Sequence, residues 1–311
     1  MGKHRIGVIG LGKIAQDQHL PVIAGSASFE LAAISSQRGL TAGAAIAFRD
    51  HRTLLEETPE LDAVAVCTPP QARHQVARDA LAAGKHVMLE KPPAATLSEL
   101  ADLQRLADRK RLVLFTTWHS QYNHGVDEAK RLLAGRQVTR LFVEWKEDVR
   151  KWHPGQDWIF RAGGFGVFDP GINALSIVTK IMPEPVVVIG ADLYFPANAD
   201  APIAAKLSLS SDGLAENFRA EMDWRPIERD IWEIGVETED GTKLHLSAGG
   251  AKLSVNGKVA AEEKPAEYEA IYAHFDTLLN ERRSHVDAAP FQIVADAFMV
   301  GKRSEVEAFV V

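Results

Sequence analysis

An α/β domain with a parallel sheet, followed by an α+β domain with a large, mostly antiparallel open sheet, is the fold class this sequence predicts. Three observations predict it. Short apolar runs alternate with helical periodicity up to about residue 120. A glycine-rich turn, Gly10-Leu11-Gly12-Lys13-Ile14-Ala15, directly follows the first of those runs. After Trp118 the pattern changes to strands with turn signals between them.

In the first part, residues 5–9, 29–34, 61–67, 86–90 and 112–116 read as strands, and 71–83 and 96–109 carry helix-like periodicity. Buried strands joined by crossover helices imply a parallel sheet covered on both faces. In the second part, residues 138–147 alternate, with Leu141, Val143, Trp145 and Glu147 on one face and Arg140, Phe142, Glu144 and Lys146 on the other. Strand-like segments follow at 186–193, 203–209, 216–224, 231–238, 243–246 and 252–255. Ser211-Asp212-Gly213, Glu239-Asp240-Gly241 and Asn256-Gly257 supply tight turns between several of them. Helical patterns return at 267–280 and 291–304. The predicted division is 1–120 and 121–311, with the last helix packing back near the first domain.

A chain of 311 residues accommodates two such domains. Hydrophobic content of 46% and charged content of 25% are those of a soluble globular protein. A net charge of -7 argues against nucleic acid or an anionic membrane as partner, since either favours a basic face. No apolar run approaches membrane-spanning length. The one cysteine, Cys67, lies in an apolar run, reads as a small core residue and suits a cytoplasmic protein. The expected partner is a small molecule.

Gly10-x-Gly12-x-x-Ala15 sits at the first strand–helix junction. The first glycine permits the tight turn, the second lets a pyrophosphate approach the backbone, and the small third residue lets helix and strand pack closely. The helix N-terminus adds N–H groups and a favourable dipole. This predicts a Rossmann-type dinucleotide site, with no internal repeat elsewhere to suggest another architecture. An acidic residue at the end of the second strand would bond a ribose 2′-hydroxyl, but Ser35-Ser36-Gln37-Arg38 stands there. A guanidinium pairs bidentately with phosphate, so NADP is the expected and preferred cofactor, read by Ser36 and Arg38, with NAD as the alternative. In the other reading Arg38 is a solvated loop charge and both cofactors serve.

The strand 86–90 delivers Glu90-Lys91-Pro92-Pro93 to the carboxyl edge of the sheet, where ligands bind in open α/β folds. A lysine there can orient a substrate hydroxyl or exchange a proton with it.

Gly10-x-Gly12-x-x-Ala15, Thr68-Pro69-Pro70 with His74, Ala83-Gly84-Lys85-His86-Val87, Glu90-Lys91-Pro92 and Gly163-Gly164-Phe165-Gly166-Val167-Phe168-Asp169-Pro170-Gly171 together resemble the glucose–fructose oxidoreductase/inositol dehydrogenase family. The resemblance implies a Rossmann domain joined to an α+β domain, with a sugar or cyclitol bound between them. It also implies that Lys13, Ile14, Thr68, Pro69, His74, Glu90 and Lys91 join Gly10 and Gly12 in holding the cofactor. The large sheet often forms subunit contacts in that family, so a monomer or a homodimer through this sheet is expected. Gln18-His19-Leu20-Pro21, Thr117-Trp118-His119-Ser120, Trp152-His153-Pro154-Gly155-Gln156 and Tyr272-Ala273-His274-Phe275 are similar to its aldose 1-dehydrogenase branch, which acts on L-arabinose, D-galactose and D-fucose.

Many family members carry Asp-x-x-x-His where this chain has Asp169 and Asn173. An amide cannot accept a proton at neutral pH, so Asn173 can only orient a substrate. The base is then Asp169, with Lys91 as the competing candidate. The bland reading of Asp169 is an N-cap, followed by Pro170 at the first helical position. The family placement implies that Lys91, His119, Glu147, His153, Asp169 and Asn173 bond sugar hydroxyls, with Trp152 stacking on a C–H face. Core packing is the alternative for the tryptophan. No third ligand follows His119 and His153 at a recognisable spacing, so no metal is expected. The function read from these residues is NAD(P)-dependent oxidation of an aldopyranose at C1 to the lactone. The rivals are another sugar or cyclitol dehydrogenase, a reductase working the opposite way, and a cofactor-binding regulator without catalysis.

Overall fold

The structure, a computed structural model, describes residues 2–212 and 217–310. It divides into two compact units, Met1–Trp118 with Tyr268–Ala288, and His119–Glu267 with Ala289–Val311.

The first unit runs β1 (His4–Ile9), α1 (Leu20–Gly25), β2 (Phe29–Ser35), β3 (Ile46–Phe48), α2 (His51–Glu57), β4 (Ala63–Val66), α3 (Pro70–Ala82), β5 (His86–Leu89), α4 (Leu97–Lys110) and β6 (Leu114–Thr116). Its six strands lie in the order β3-β2-β1-β4-β5-β6, all neighbours parallel. That is the doubly wound order in which the winding reverses between β1 and β4, the place where such sheets bind dinucleotides. Ile6, Val8, Val64 and Val66 are fully buried, because helices cover both faces. The sequence reading missed β3 and α2. β3 is a three-residue edge strand whose Ile46 is 52% exposed, too short and too wet to leave an apolar run. α2 is announced only by its cap, where Asp50 accepts hydrogen bonds from the backbone of Arg52 at 3.0 Å and Thr53 at 2.9 Å.

The second unit contains α5 (His124–Leu133), β7 (Val138–Lys146), α6 (Val149–Trp152), α7 (Phe168–Ile181), β8 (Val186–Pro196), β9 (Ala204–Ser211), β10 (Phe218–Asp223), β11 (Ile231–Thr238), β12 (Lys243–Ser247), β13 (Lys252–Val255) and β14 (Lys258–Glu262). The chain then enters α8 (Glu267–Glu281), which from Tyr268 onward belongs to the first unit, and closes with α9 (Ala289–Val300) and β15 (Lys302–Val306) in the second. The nine-stranded sheet has the order β14-β13-β12-β11-β7-β10-β9-β8-β15. Among the described residues of this sheet, only β7–β10 and β8–β15 pair in parallel. Along β7, Leu141, Val143 and Trp145 are buried, while Phe142 is 37% exposed and Lys146 pairs with Glu144 at 2.6 Å on the other face. This is the expected alternation of a sheet with one covered face.

Several expectations shift. The expected strand 216–224 and the turn Ser211-Asp212-Gly213 fall partly outside the described residues, and β10 is seen from Phe218. The helix expected over 291–304 stops at Val300, before Gly301, and residues 302–306 pair with β8 instead. A run such as Lys302-Arg303-Ser304-Glu305 suits either an exposed helix end or an edge strand, so local pattern could not choose. The segment that groups with the first unit holds α8, whereas the last helix, α9, stays in the second. No helix among the described residues is long and apolar enough to cross a membrane.

Candidate active site

β1 ends at the glycine turn. Gly10 has φ +93°, and a Cβ there would stand 2.8 Å from the backbone nitrogen of Thr68, at the end of β4. Only glycine fits both the dihedral and the contact. A Cβ on Gly12, by contrast, would meet no protein atom within 4 Å. Lys13 and Ile14 open the helix and are both exposed, Lys13 pairing with Asp17 one turn on. Thr68 presents a buried hydroxyl with no hydrogen-bond partner in the protein, and Pro69 beside it is exposed. Open backbone over Gly12, a helix N-terminus and an unsatisfied hydroxyl suit a pyrophosphate.

At the end of β2, Ser35 and Ser36 are buried, and Arg38 donates to the carbonyl oxygen of Leu11 at 3.2 Å. Arg49, which sequence reasoning missed, lies against Gly39 and donates to the Gln37 carbonyl at 3.5 Å. The turn after β2 is therefore rimmed by two guanidinium groups, with no carboxylate among residues 35–38. His74 lies in the second turn of α3. Its Nε2 lies 3.0 Å from Asp102 Oδ2, which also accepts from Arg78 at 2.5 Å, so this histidine ties α3 to α4.

The loop after β5 is held by a buried network. Glu90 is 3% exposed and fully engaged: its Oε1 accepts from His19 Nε2 at 3.0 Å and from the Tyr268 hydroxyl at 2.7 Å, and its Oε2 accepts from the Lys91 backbone N–H at 2.9 Å. His19 Nδ1 meets the Tyr272 hydroxyl at 2.8 Å. Burial opposes a charge on His19, but Cys67, Tyr272 and Glu90 outweigh it and hold the imidazole well above its ordinary value. Burial pushes the Tyr272 phenol up to about 12, so it stays neutral. On the other side, the buried Arg73 donates to the carbonyl oxygens of Glu90 at 2.7 Å, of Pro92 and of Thr68. One guanidinium thus joins the β4 and β5 loops.

In the second unit, Asp169 and Asn173 stand one turn apart on α7. Asp169 is the second residue of that helix and Val167 precedes it as cap, so the N-cap reading of Asp169 does not hold. The helix start is compressed: a Cβ on Gly166 would collide with the carbonyl oxygen of Pro202, and one on Gly171 with the sulfur of Met222. Asp169 is 3% exposed, with His153 Nε2 at 3.7 Å from its Oδ2. Asn173 is half-buried and its amide makes no hydrogen bond to protein among the described residues. Glu147 accepts from the indole N–H groups of Trp224 at 3.2 Å and Trp232 at 2.7 Å. Trp152 is 36% exposed and packs 5.4 Å from Trp232 between ring centres. His119 Nδ1 bonds Glu267 at 2.8 Å. The second unit therefore gathers a carboxylate, an imidazole and an amide at the start of α7, and a tryptophan-walled carboxylate just past the end of β7. Trp224, Trp232 and Glu267 went unread in the sequence, since only the register of β10 and β11 and the return of the chain place them. Among the described residues no group of three or more His, Cys, Asp or Glu side chains is placed to hold a metal.

Residues 4–117 match the GFO/IDH/MocA model, described as an oxidoreductase family with an NAD-binding Rossmann fold. The whole chain is similar to galactose 1-dehydrogenase of Pseudomonas fluorescens, 44% identical over 305 residues that cover 98% of each chain. The chain belongs to the GFO/IDH/MocA oxidoreductase family. Among solved structures, D-galactose-1-dehydrogenase from Rhizobium etli superposes with a TM-score of 0.94 at 50% identity, covering 100% of this chain and 99% of that one. A mutant 3-ketoreductase from Actinomadura kijaniata, in complex with TDP-benzene and NADP, reaches a TM-score of 0.85 at 17% identity over 98% of this chain and 99% of that one, a likeness of fold. As a member of this family the protein is an oxidoreductase with an NAD-binding domain, and the glycine turn described above is the element that such a domain requires.

Proposed function

We propose that this oxidoreductase oxidises an aldopyranose of the D-galactose type at C1 to the lactone, using NADP in preference to NAD. The full-length likeness to galactose 1-dehydrogenase, at 44% identity over 98% of the chain, carries the substrate assignment. D-galactose, D-fucose and L-arabinose share one ring stereochemistry and differ only in the substituent at C5, so all three fall within the reading. Arg38 at the glycine turn, Arg49 beside Gly39 and the absence of a carboxylate at residues 35–38 support NADP.

When bound, the nicotinamide accepts the hydride that leaves C1. Gly10, Gly12, Lys13, Ile14 and Thr68 hold the pyrophosphate end through backbone donors, the open turn and the unsatisfied Thr68 hydroxyl. Asp169 removes the proton of the anomeric hydroxyl as the C1–H bond breaks, and the C1–O bond becomes the lactone carbonyl. Lys91 orients that hydroxyl and is the alternative base. Asn173 fixes the ring by donating and accepting, which its uncommitted amide permits. His153, His119 and Glu147 select hydroxyls, and Trp152 offers its exposed face to the C–H side of the ring. The test is cofactor reduction with D-galactose, D-fucose, L-arabinose, D-glucose, D-xylose and myo-inositol, each with NADP and NAD. Turnover confined to D-glucose or myo-inositol would move the protein to another branch of the family.

A further inference from the structure

The helix that follows the glycine turn does not begin as a regular α-helix. Residues Ala15–His19 form a π-turn before α1, and this wider turn brings the last of them, His19, into a fully buried position. π-Turns of this kind recur where a helix must aim one side chain at a functional site. Both ring nitrogens of His19 are used, Nε2 toward Glu90 Oε1 at 3.0 Å and Nδ1 toward the Tyr272 hydroxyl at 2.8 Å. Glu90 spends its other oxygen on the backbone N–H of Lys91 at 2.9 Å. A buried carboxylate keeps one rotamer and one charge only while its partners compensate it. Tyr268 supplies one partner to Oε1 at 2.7 Å, and His19 Nε2 supplies the other at 3.0 Å. Without the imidazole, Glu90 must take up a proton or turn away, and either change weakens its hold on the Lys91 backbone. Arg73 braces the same loop from the other side, donating to the carbonyl oxygens of Glu90 and Pro92, while the Lys91 N–H is held by the carboxylate.

We propose that His19 is a positioning residue for Lys91, acting through Glu90, and that it ties the placement of the lysine to the helix that carries the cofactor turn. The proposal rests on the reading that Lys91 handles the substrate hydroxyl. It predicts that His19 affects turnover through Lys91 and does not act on cofactor binding.

A double-mutant cycle tests it: His19→Phe, His19→Gln, Lys91→Ala and the His19→Phe/Lys91→Ala pair, each assayed for D-galactose turnover under single-turnover conditions and for NADP Kd by binding. His19→Phe is expected to lower the rate about tenfold or more with Kd held within about twofold, and to lower the Lys91→Ala rate less than about threefold further, because the two changes remove one function. His19→Gln keeps an N–H for Glu90 and should retain a rate between those of the parent and His19→Phe. If His19→Phe folds poorly, the Tyr272→Phe protein, which loses only the hydroxyl that meets Nδ1, is expected to show the same selective fall in rate, to a smaller extent. Parental rates in both His19→Gln and Tyr272→Phe, a fully multiplicative loss in the pair, or a loss confined to NADP binding overturns the proposal. A parental rate for Lys91→Ala instead overturns the role given to Lys91 itself.

Discussion

His153 Nε2 stands 3.7 Å from Asp169 Oδ2, so the second unit places an imidazole beside the carboxylate that opens α7. Where many family members carry a histidine four residues after this aspartate, the present chain has Asn173 on the helix and brings its imidazole in from the loop after α6. An amide can only orient a substrate, so of the two α7 side chains only the carboxylate has the chemistry of a proton acceptor.

Asp169→Ala is expected to lower turnover by about 10²–10⁴-fold, the usual contribution of a positioned general base. Because the proposed role of Asp169 is to take a proton from the sugar, NADP Kd should change little. Stopped-flow reduction and a binding titration on the same sample separate the two quantities. Turnover within a few-fold of the parent would move the base role to Lys91.

Arg38→Ala tests cofactor choice. Loss of a charge-assisted contact to phosphate is expected to raise the KM for NADP about ten- to hundredfold while leaving that for NAD nearly unchanged. Equal effects on both cofactors would mean that Arg38 supports the Leu11 turn, to which it already donates at 3.2 Å, and reads no phosphate.

The two glycines of the turn should part company. Gly10→Ala meets the Thr68 backbone at 2.8 Å and a left-handed dihedral, and is expected to cost more than about 1 kcal/mol of stability. Gly12→Ala meets no protein atom within 4 Å, so its thermal midpoint should stay near the parent's while cofactor affinity falls. A matched pair of melting curves and binding titrations reads both effects.

These residues also mark what was legible in the sequence. The glycine turn, the strand ending at Glu90 and the Asp169–Asn173 pair are local patterns, and each is found on the element expected of it. His19 is different: its partners lie 71 and 253 positions away, so nothing in its own neighbourhood distinguishes it from a surface histidine. Arg73 likewise reads as a helix-face charge, and only the fold shows it buried against three carbonyl oxygens. Glu147 was legible as an inward-facing residue of the expected strand 138–147 and stands just past the end of β7, but the two indole groups that grip it come from around β10 and β11. Side chains whose function is to join distant elements leave no period in the sequence.

The turn between β11 and β12 has its own pH signature. The Thr238 hydroxyl at 2.6 Å, the Thr242 backbone at 3.0 Å and Arg136 hold the Asp240 carboxyl down to about 2. A lowered carboxylate pKa stabilises the fold above the ordinary value of 3.8, and the contribution is lost as pH falls toward 2. Asp240→Asn should therefore lower the thermal midpoint by a constant amount at neutral pH, and the gap to the parent should narrow on acidification below about pH 4. A gap that stays the same down to the acid limit would assign the loss to turn geometry alone.

The most direct test of the central claim is NADP reduction by the purified protein with D-galactose, followed to the sugar product. NADPH is expected to form in step with D-galactono-lactone, with D-fucose and L-arabinose also oxidised and D-glucose a much weaker substrate. Tight NADP binding with no reduction by any of these aldoses would contradict that claim.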